Sequence, residues 1–297
     1  MPTFLETVVE RTQAAVAARK LSRPAAELEQ RLGPPRRGRP FSEALIDEGI
    51  SLIAEMKRSS PSRGPIRPGA SVTEVVRAYQ EAGARAVSVL TEAEYFGGSL
   101  DDLVEARAAC DLPLLRKDFM VDEYQLLEAR AAGADAVLLI VAALSTDDLG
   151  HLMAFASDLG MDTLVEVHDE EEVETAVEAG AEVLGINNRN LHSLDVDLET
   201  TFRLLAAILV LVACGLQDRA AATEPETLPV AAVTIYPGDR IVAGMLSEAR
   251  FPAGTAARYP VIVSDTELIG KVARRTLIAG RLIARNMVAE PQLVSRG

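Results

Sequence analysis

Cysteine is nearly absent from this chain: two in 297 residues, Cys110 and Cys214, far apart and without metal-like spacing. That excludes a disulfide framework and a thiolate metal site, and it fits a reducing, cytoplasmic setting. Histidine is as scarce, and its three copies carry no ligand spacing, so no metal or other cofactor is implied. Low-complexity blocks are missing too. With 48% apolar residues the chain reads as folded and soluble, long enough for one barrel or two domains. Basic residues are in deficit, 30 against 44 acidic ones, and a formal charge of -14 argues against general nucleic-acid affinity. The deficit is uneven: 36 acidic and 19 basic residues run up to Phe202, but 8 and 11 from Arg203 onward. The chain changes character near residue 203.

What is present first is a helix and strand rhythm. Residues 1–48 carry amphipathic helical stretches (Phe4, Leu5, Val8, Val9, then Ala14, Ala15, Ala18) broken by the Pro-rich loop Gly33-Pro34-Pro35-Arg36-Arg37, and read as an N-terminal extension. Short apolar runs follow at Ser51 to Ala54, Ala86 to Leu90, Pro113 to Leu115, Ala136 to Val141, Asp162 to Val165 and Val183 to Ile186. Six buried strands are expected. Helical patterns lie between them: one with Thr73 as the expected N-cap, one marked by Ser145 before Asp147-Asp148 and a stop at Gly160, and one from Asp169 to Gly180, with Ala-Gly endings at Gly83, Gly133 and Gly180. Strand and helix alternating at this spacing predict a parallel sheet. An open doubly wound sheet would show a Gly-rich phosphate turn after its first strand. Here that place holds Met56-Lys57-Arg58-Ser59-Ser60-Pro61-Ser62-Arg63-Gly64, a basic and hydroxyl-rich loop suited to a small anion. An α/β barrel is the better reading.

Four runs place acids, bases and amides at or just after the strands: Glu55-Met56-Lys57, Arg116-Lys117-Asp118-Phe119, Leu164-Val165-Glu166-Val167 and Ile186-Asn187-Asn188-Arg189-Asn190-Leu191. In a barrel, catalytic groups come from the C-terminal ends of several strands, so these ends mark one active-site face. Taken singly, each has a plainer reading. Lys117 and Glu166 alone are surface-turn residues as readily as catalytic ones, Arg58, Arg63 and Arg116 can solvate loops or pair with acidic helices, and Asp169-Glu170-Glu171-Glu172 suits a helix start. His168 points the same way as Glu166 along a strand, shares no metal set with it, and reads as structural.

Together, Ile53 to Ser62, Tyr95-Phe96-Gly97-Gly98-Ser99, Leu115-Arg116-Lys117-Asp118-Phe119 and Gly185 to Leu191 resemble the indole-3-glycerol phosphate synthase family in order and spacing, over about residues 1–205. The resemblance implies a (βα)8 TIM barrel that acts on a phosphorylated small molecule, closing an indole ring with loss of carbon dioxide and water and without a cofactor. It implies Lys117 as the acid, Glu166 as the base, Lys57 in proton transfer, and Glu55 and Asn187 in positioning. Ser60 and Arg189 would hold polar or anionic parts of the substrate, and Phe96, Phe119 and Leu138 would line the aromatic pocket.

The resemblance stops near Phe202. Family members continue into a seventh strand ending in a Ser-Glu-Ser-Gly-like turn and an eighth ending in a Gly-rich phosphate turn, and neither motif follows here. Instead Arg203 to Gly215 and then Asp218 to Ala222 show a signal-peptide pattern, a basic residue, an apolar core and small residues. Leu211-Val212-Ala213-Cys214 also fits a lipoprotein box, and residues 204–214 are the one place for membrane association, though the core is short for a span. Ile208 to Cys214 is expected either as a surrogate seventh strand, which its β-branched content favours, or as an apolar helix. From Leu228, Val230 to Tyr236, Pro237-Gly238-Asp239 and Leu268 to Gly280 read as a β-rich module resembling the SAF domain of the flagellar P-ring assembly chaperone. The expected division is 1–48, 49–202, 203–227 and 228–297, which reads as a fusion. Two functions compete, an aromatic-biosynthesis lyase and a periplasmic binding module.

Overall fold

The computed structural model describes residues 3–32, 41–46, 49–61, 63–67, 69–190, 195–221, 226–236, 238–251, 255–258, 261–274, 277, 279–280, 282–283 and 285–289. The loop Gly33 to Arg37, Ser62, Leu191, Ala222, Pro237, Arg275, Thr276 and Ile278 lie outside the described residues, as do the side chains of 212–221, Cys214 among them. The chain forms two units, 1–211 and 212–297.

The first unit opens with α1 (Phe4–Ser22), α2 (Ala25–Arg31) and α3 (Phe41–Leu45). Thr3 starts α1 with a capping box, its hydroxyl accepting from the Glu6 N–H while the Glu6 carboxylate accepts from the Thr3 N–H. Six parallel strands follow, paired in sequence order: β1 (Ile53–Met56), β2 (Ala86–Leu90), β3 (Leu114–Lys117), β4 (Ala136–Ile140), β5 (Asp162–Val167) and β6 (Val183–Ile186). Between them run α4 (Val72–Glu81), α5 (Leu100–Ala109), α6 (Glu123–Ala132), α7 (Thr146–Asp158) and α8 (Glu170–Glu178). The sheet is a partial TIM barrel. Among the described residues no strand pairs with the outer edge of β1 or of β6.

Side chains alternate across each strand, and that alternation makes two cores. Outward residues Met56, Val87, Val89, Leu114, Val137, Leu139, Val165 and Val167 pack under the helices. Inward residues Ala86, Leu115 and Ala136 cluster with Phe41, which is fully buried and stoppers the N-terminal end of the strands. Burying a Phe is worth roughly 1.5–3 kcal/mol. Ser42 fastens the stopper, donating from its N–H and hydroxyl to Asp162 Oδ2 at 2.8 and 3.0 Å. The strands β2 and β4 are buried at every position, as expected where both faces are covered.

Two expectations are corrected. Thr73 does not cap α4: Ser71 does, accepting from the Glu74 N–H, while the Thr73 hydroxyl donates to Glu105 at 2.8 Å. Ile208 to Cys214 does not form a seventh strand; it continues α9 (Glu199–Ala221) without a break. Leu204 is fully buried, and Ile208 and Leu211 pack on the same core. This i, i+4, i+7 spacing is one helical stripe, which a strand could not bury on a single side. Among the described residues no helix is long and apolar enough to cross a membrane.

The second unit pairs β7 (Glu226–Ala231) with β8 (Leu246–Phe251) antiparallel, and β9 (Val272–Ala273) with β10 (Val288–Ala289). Its separate core gathers Ala231, Ile235, Ile241, Ile262, Leu268, Ala273, Leu277, Ile283 and Val288. Small antiparallel sheets around one core match a SAF-like module.

Candidate active site

The inward positions at the C-terminal strand ends open into a cavity of about 430 Å³. The strands run further than the apolar runs alone indicate: β1 reaches Met56, β3 reaches Lys117 and β5 reaches Val167, so Glu55, Lys117 and Glu166 are strand residues held by ladder hydrogen bonds. A side chain anchored on a strand is aimed more rigidly than one on a loop. The cavity is lined by all ten candidates: Glu55, Lys57, Lys117, Glu166, Asn187, Ser60, Arg189, Phe96, Phe119 and Leu138.

Glu166 is the centre of the polar network. Lys117 Nζ is 3.4 Å from its Oε2, and Asn187 Nδ2 donates to its Oε1 at 2.9 Å. Burial opposes its charge, but the His168 imidazole, the Lys117 ammonium and the Asn187 amide together pull the carboxyl down to about 2. Glu166 is therefore ionised at any physiological pH. Lys57 forms an ion pair with Glu55 at the β1 end. Asn187 is held by its own N–H on the Val167 carbonyl, 3.0 Å, and its Oδ1 accepts from the Arg189 N–H at 3.0 Å, which sets the turn after β6.

The apolar wall comes from loops that the motifs shape. Gly98 lies so close to β2 that an added Cβ would stand 2.1 Å from the Leu90 carbonyl oxygen, which only glycine permits. The preceding turn is gathered by the Glu92 carboxylate, which accepts from the N–H groups of Glu94, Tyr95 and Phe96 at 2.9, 2.7 and 3.1 Å. Burial pushes the Glu92 carboxyl up. That anchor presents Phe96 to the cavity. Ser60 sits on a short hairpin, Ser59–Ser60 with Gly64–Pro65, where its hydroxyl accepts from the Arg63 N–H at 3.3 Å.

Of the residues with a plain reading, Arg58 and Arg116 pair with acids on helices as that reading has it, with Asp102 of α5 and Glu128 of α6. Arg116 is 2% exposed and neither solvates a loop nor enters the cavity. It faces outward, donating to Thr91 Oγ1 (3.0 Å), the Gln125 carbonyl (2.7 Å) and Asp118 Oδ2 (2.9 Å). Arg58 is bound to Asp102 at the start of α5. Arg63 is exposed and lines the cavity rim. His168, read as structural, stands 3.5 Å from Glu166 Oε1. Glu92 and Phe4 also line the cavity and were not anticipated. Glu92 follows β2 as the other polar ends follow theirs and was legible by that rule; Phe4 arrives on α1 from far in sequence, with its ring edge-on to Tyr95 at 5.1 Å, and nothing local signals it.

The profile of the indole-3-glycerol phosphate synthase family matches residues 5–239, and that of the SAF domain matches residues 230–289. The first match extends past the point near residue 205 where the motifs end. The chain is 50% identical over 204 residues to indole-3-glycerol phosphate synthase 2 of Streptomyces coelicolor, covering 69% of this chain and 79% of that protein. It is 46% identical over 210 residues to the indole-3-glycerol phosphate synthase of Desulfosudis oleivorans, covering 69% and 80%. Flagellar protein FlgA of Thermotoga maritima, a solved structure, aligns over 23% of this chain and 26% of that one, with 23% identity and a TM-score of 0.21.

Proposed function

Because this chain belongs to the indole-3-glycerol phosphate synthase family, we propose that its cavity performs that family's ring closure with Lys117 as acid and Glu166 as base. The family is a lyase of tryptophan biosynthesis. Its substrate is 1-(2-carboxyphenylamino)-1-deoxyribulose 5-phosphate, whose aromatic ring attacks the ribulose carbonyl, with loss of carbon dioxide and then water. As the new carbon–carbon bond forms, charge builds on the carbonyl oxygen, and an ammonium beside it supplies the proton. Lys117 is assigned that position, and after it regains a proton from Lys57 or from water it protonates the departing hydroxyl, which leaves as water. Glu166, ionised, takes the proton lost in the final step. Arg189 suits the substrate carboxylate because its fork binds two oxygens, and Ser60 suits a polar group at the rim. Phe96, Phe119 and Leu138 suit the two faces of the aromatic ring. Lys57 supplies charge and a second proton path, Glu55 and Asn187 position the reacting groups, and the reaction belongs in the cytoplasm.

The observation that carries this reading is the 3.4 Å approach of Lys117 to Glu166 from two strands that are not neighbours, inside a cavity with an apolar wall. The test is turnover of the substrate by the full chain at high enzyme concentration, followed by indole-glycerol phosphate formation, against Lys117→Met. Product formation that the substitution abolishes supports the reading; equal rates in both proteins overturn it. A second reading attaches to the C-terminal unit alone. Its SAF match and separate core support a binding role like that of a periplasmic assembly chaperone, tested by export of the chain and capture of a ring subunit.

A further inference from the structure

Glu166 has a third neighbour for which the acid–base assignment has no use. His168 follows it by two residues, just past the end of β5, and continues the alternation of the strand so that both side chains leave the same face. Its imidazole is pinned from behind: Glu172 Oε2 accepts from the His168 main-chain N–H at 2.8 Å and sits 2.9 Å from Nδ1. Glu172 is itself placed by the α8 cap, where its N–H donates to Asp169 Oδ1 at 2.9 Å. With Nδ1 committed to Glu172, the ring presents Nε2 to Glu166 Oε1 at 3.5 Å, and Nε2 is buried without a hydrogen-bond partner. That is ion-pair range but not a hydrogen bond. The Glu166 carboxylate is thus flanked on Oε1 by Asn187 and His168 and on Oε2 by Lys117.

We propose that His168, braced by Glu172, is a positioning residue that holds the Glu166 carboxylate ionised and aimed at Lys117. The proposal deepens the reading of Glu166 as the base and rests on it. A neutral imidazole would leave a buried carboxylate opposed only by Lys117 and an amide; a cationic one adds a full opposite charge within the distance at which charges shift titration. Burial opposes the charge on His168, but the Glu166 and Glu172 carboxylates outweigh it and hold the imidazole up at about 9. His168 and Glu172 also line a second cavity, of about 530 Å³, whose other charged groups are Glu6 on α1, Asp169 at the α8 cap, Arg189, Asp195 and Asp197 in the turn after β6, and Arg203 on α9. Those are four acids against two bases, so the surroundings of the imidazolium do not oppose its charge.

The test uses the full chain labelled with nitrogen-15 in histidine and carbon-13 in the glutamate carboxyls, titrated by NMR with and without His168→Asn and Glu172→Gln. In the unsubstituted protein the His168 ring keeps both protons through neutral pH. Glu172→Gln lowers its midpoint by about one unit or more, and His168→Asn raises the Glu166 midpoint by about one unit or more with the circular dichroism spectrum unchanged. A merely structural histidine would not move the Glu166 titration. An identical Glu166 midpoint in the unsubstituted protein and His168→Asn overturns the proposal, and if His168→Asn does not fold, His168→Gln is read in its place by the same criterion. Failure of the base assignment has a separate signature, full turnover in Glu166→Gln with these titrations intact.

Discussion

Lys117 Nζ and Glu166 Oε2 face each other at 3.4 Å from β3 and β5, bridging the inner face of β4 that lies between them. The Lys117 ammonium helps hold the Glu166 carboxylate charged. The carboxylate sits deeper, with 11% of its side chain exposed against 30% for the lysine, so it depends more on the pair. Lys117→Met therefore does two things at once. It removes the acid, for which a loss of about 10²–10⁴-fold in the chemical step is expected, and it raises the Glu166 carboxyl from about 2. Single-turnover product formation reads the first and the Glu166 carboxyl NMR midpoint reads the second; a variant that loses neither would show that the two groups do not cooperate.

Stability should depend on pH in two separate windows. Glu166 is lowered from 4.5 to about 2 in the folded chain, so its contribution is present above 4.5 and is lost as pH falls through 4.5 toward 2. His168 is raised from 6.5 to about 9, so its contribution is complete below 6.5 and is lost as pH rises from 6.5 through 9. The expected urea midpoint of the first unit is highest between these windows. Glu172→Gln should flatten the alkaline limb and leave the acid limb in place, and a wild-type midpoint that is level from 6.5 to 9 would contradict the assignment.

The sheet was legible because each strand obeys one simple rule, an apolar run bounded by turn residues, and the alternation within it foretold which polar ends would share a face. Glu55, Lys117, Glu166 and Asn187 follow from that rule. Arg116 did not, because its partners Thr91, Gln125, Asp118 and Glu128 come from other elements, and a buried guanidinium has the same local sequence as a solvated one. The role of His168 was hidden for the same reason: Glu172 lies across a strand-to-helix turn, and only the fold closes the gap. For Ile208 to Cys214 the helix, the less favoured of the two expected forms, is the one found, because β-branched content is a weak local preference, while Leu204, Ile208 and Leu211 together make a helical stripe with a core to meet.

That stripe gives a packing prediction. Leu204 is fully buried, so Leu204→Ala should cost about 2–5 kcal/mol, the range for a large-to-small change in a core. Leu209 on the opposite face is 61% exposed, and Phe202, Leu205 and Val210 are exposed beside it. Leu209→Lys should change stability by no more than about 0.5 kcal/mol and should reduce self-association, since it interrupts an apolar patch. Urea titration and sedimentation velocity check the pair; equal destabilisation by both substitutions would mean the helix is packed on both faces.

The last prediction concerns the substrate phosphate. In a complete barrel of this type the loops after the seventh and eighth strands hold the phosphate, and among the described residues no seventh or eighth strand joins this sheet, the element after β6 being α9. Each backbone N–H donor lost from a charged group forfeits roughly 1.5–3 kcal/mol, so two or three lost donors total about 3–9 kcal/mol. At about 1.4 kcal/mol per factor of ten this weakens binding a hundredfold or far more. Arg63 on the cavity rim offers a point charge but no cradle of N–H groups. The chain should therefore be a very poor synthase, its acid and base set notwithstanding, and inserting the two absent strand-loop units should restore activity. A sharper sign is discrimination: removing the phosphate from the substrate should lower kcat/KM only slightly in this chain and strongly in the restored barrel. If instead the unsubstituted chain turns over at the rate of a complete barrel and rejects the phosphate-free substrate, a phosphate site exists elsewhere in it, and the argument from the absent loops fails.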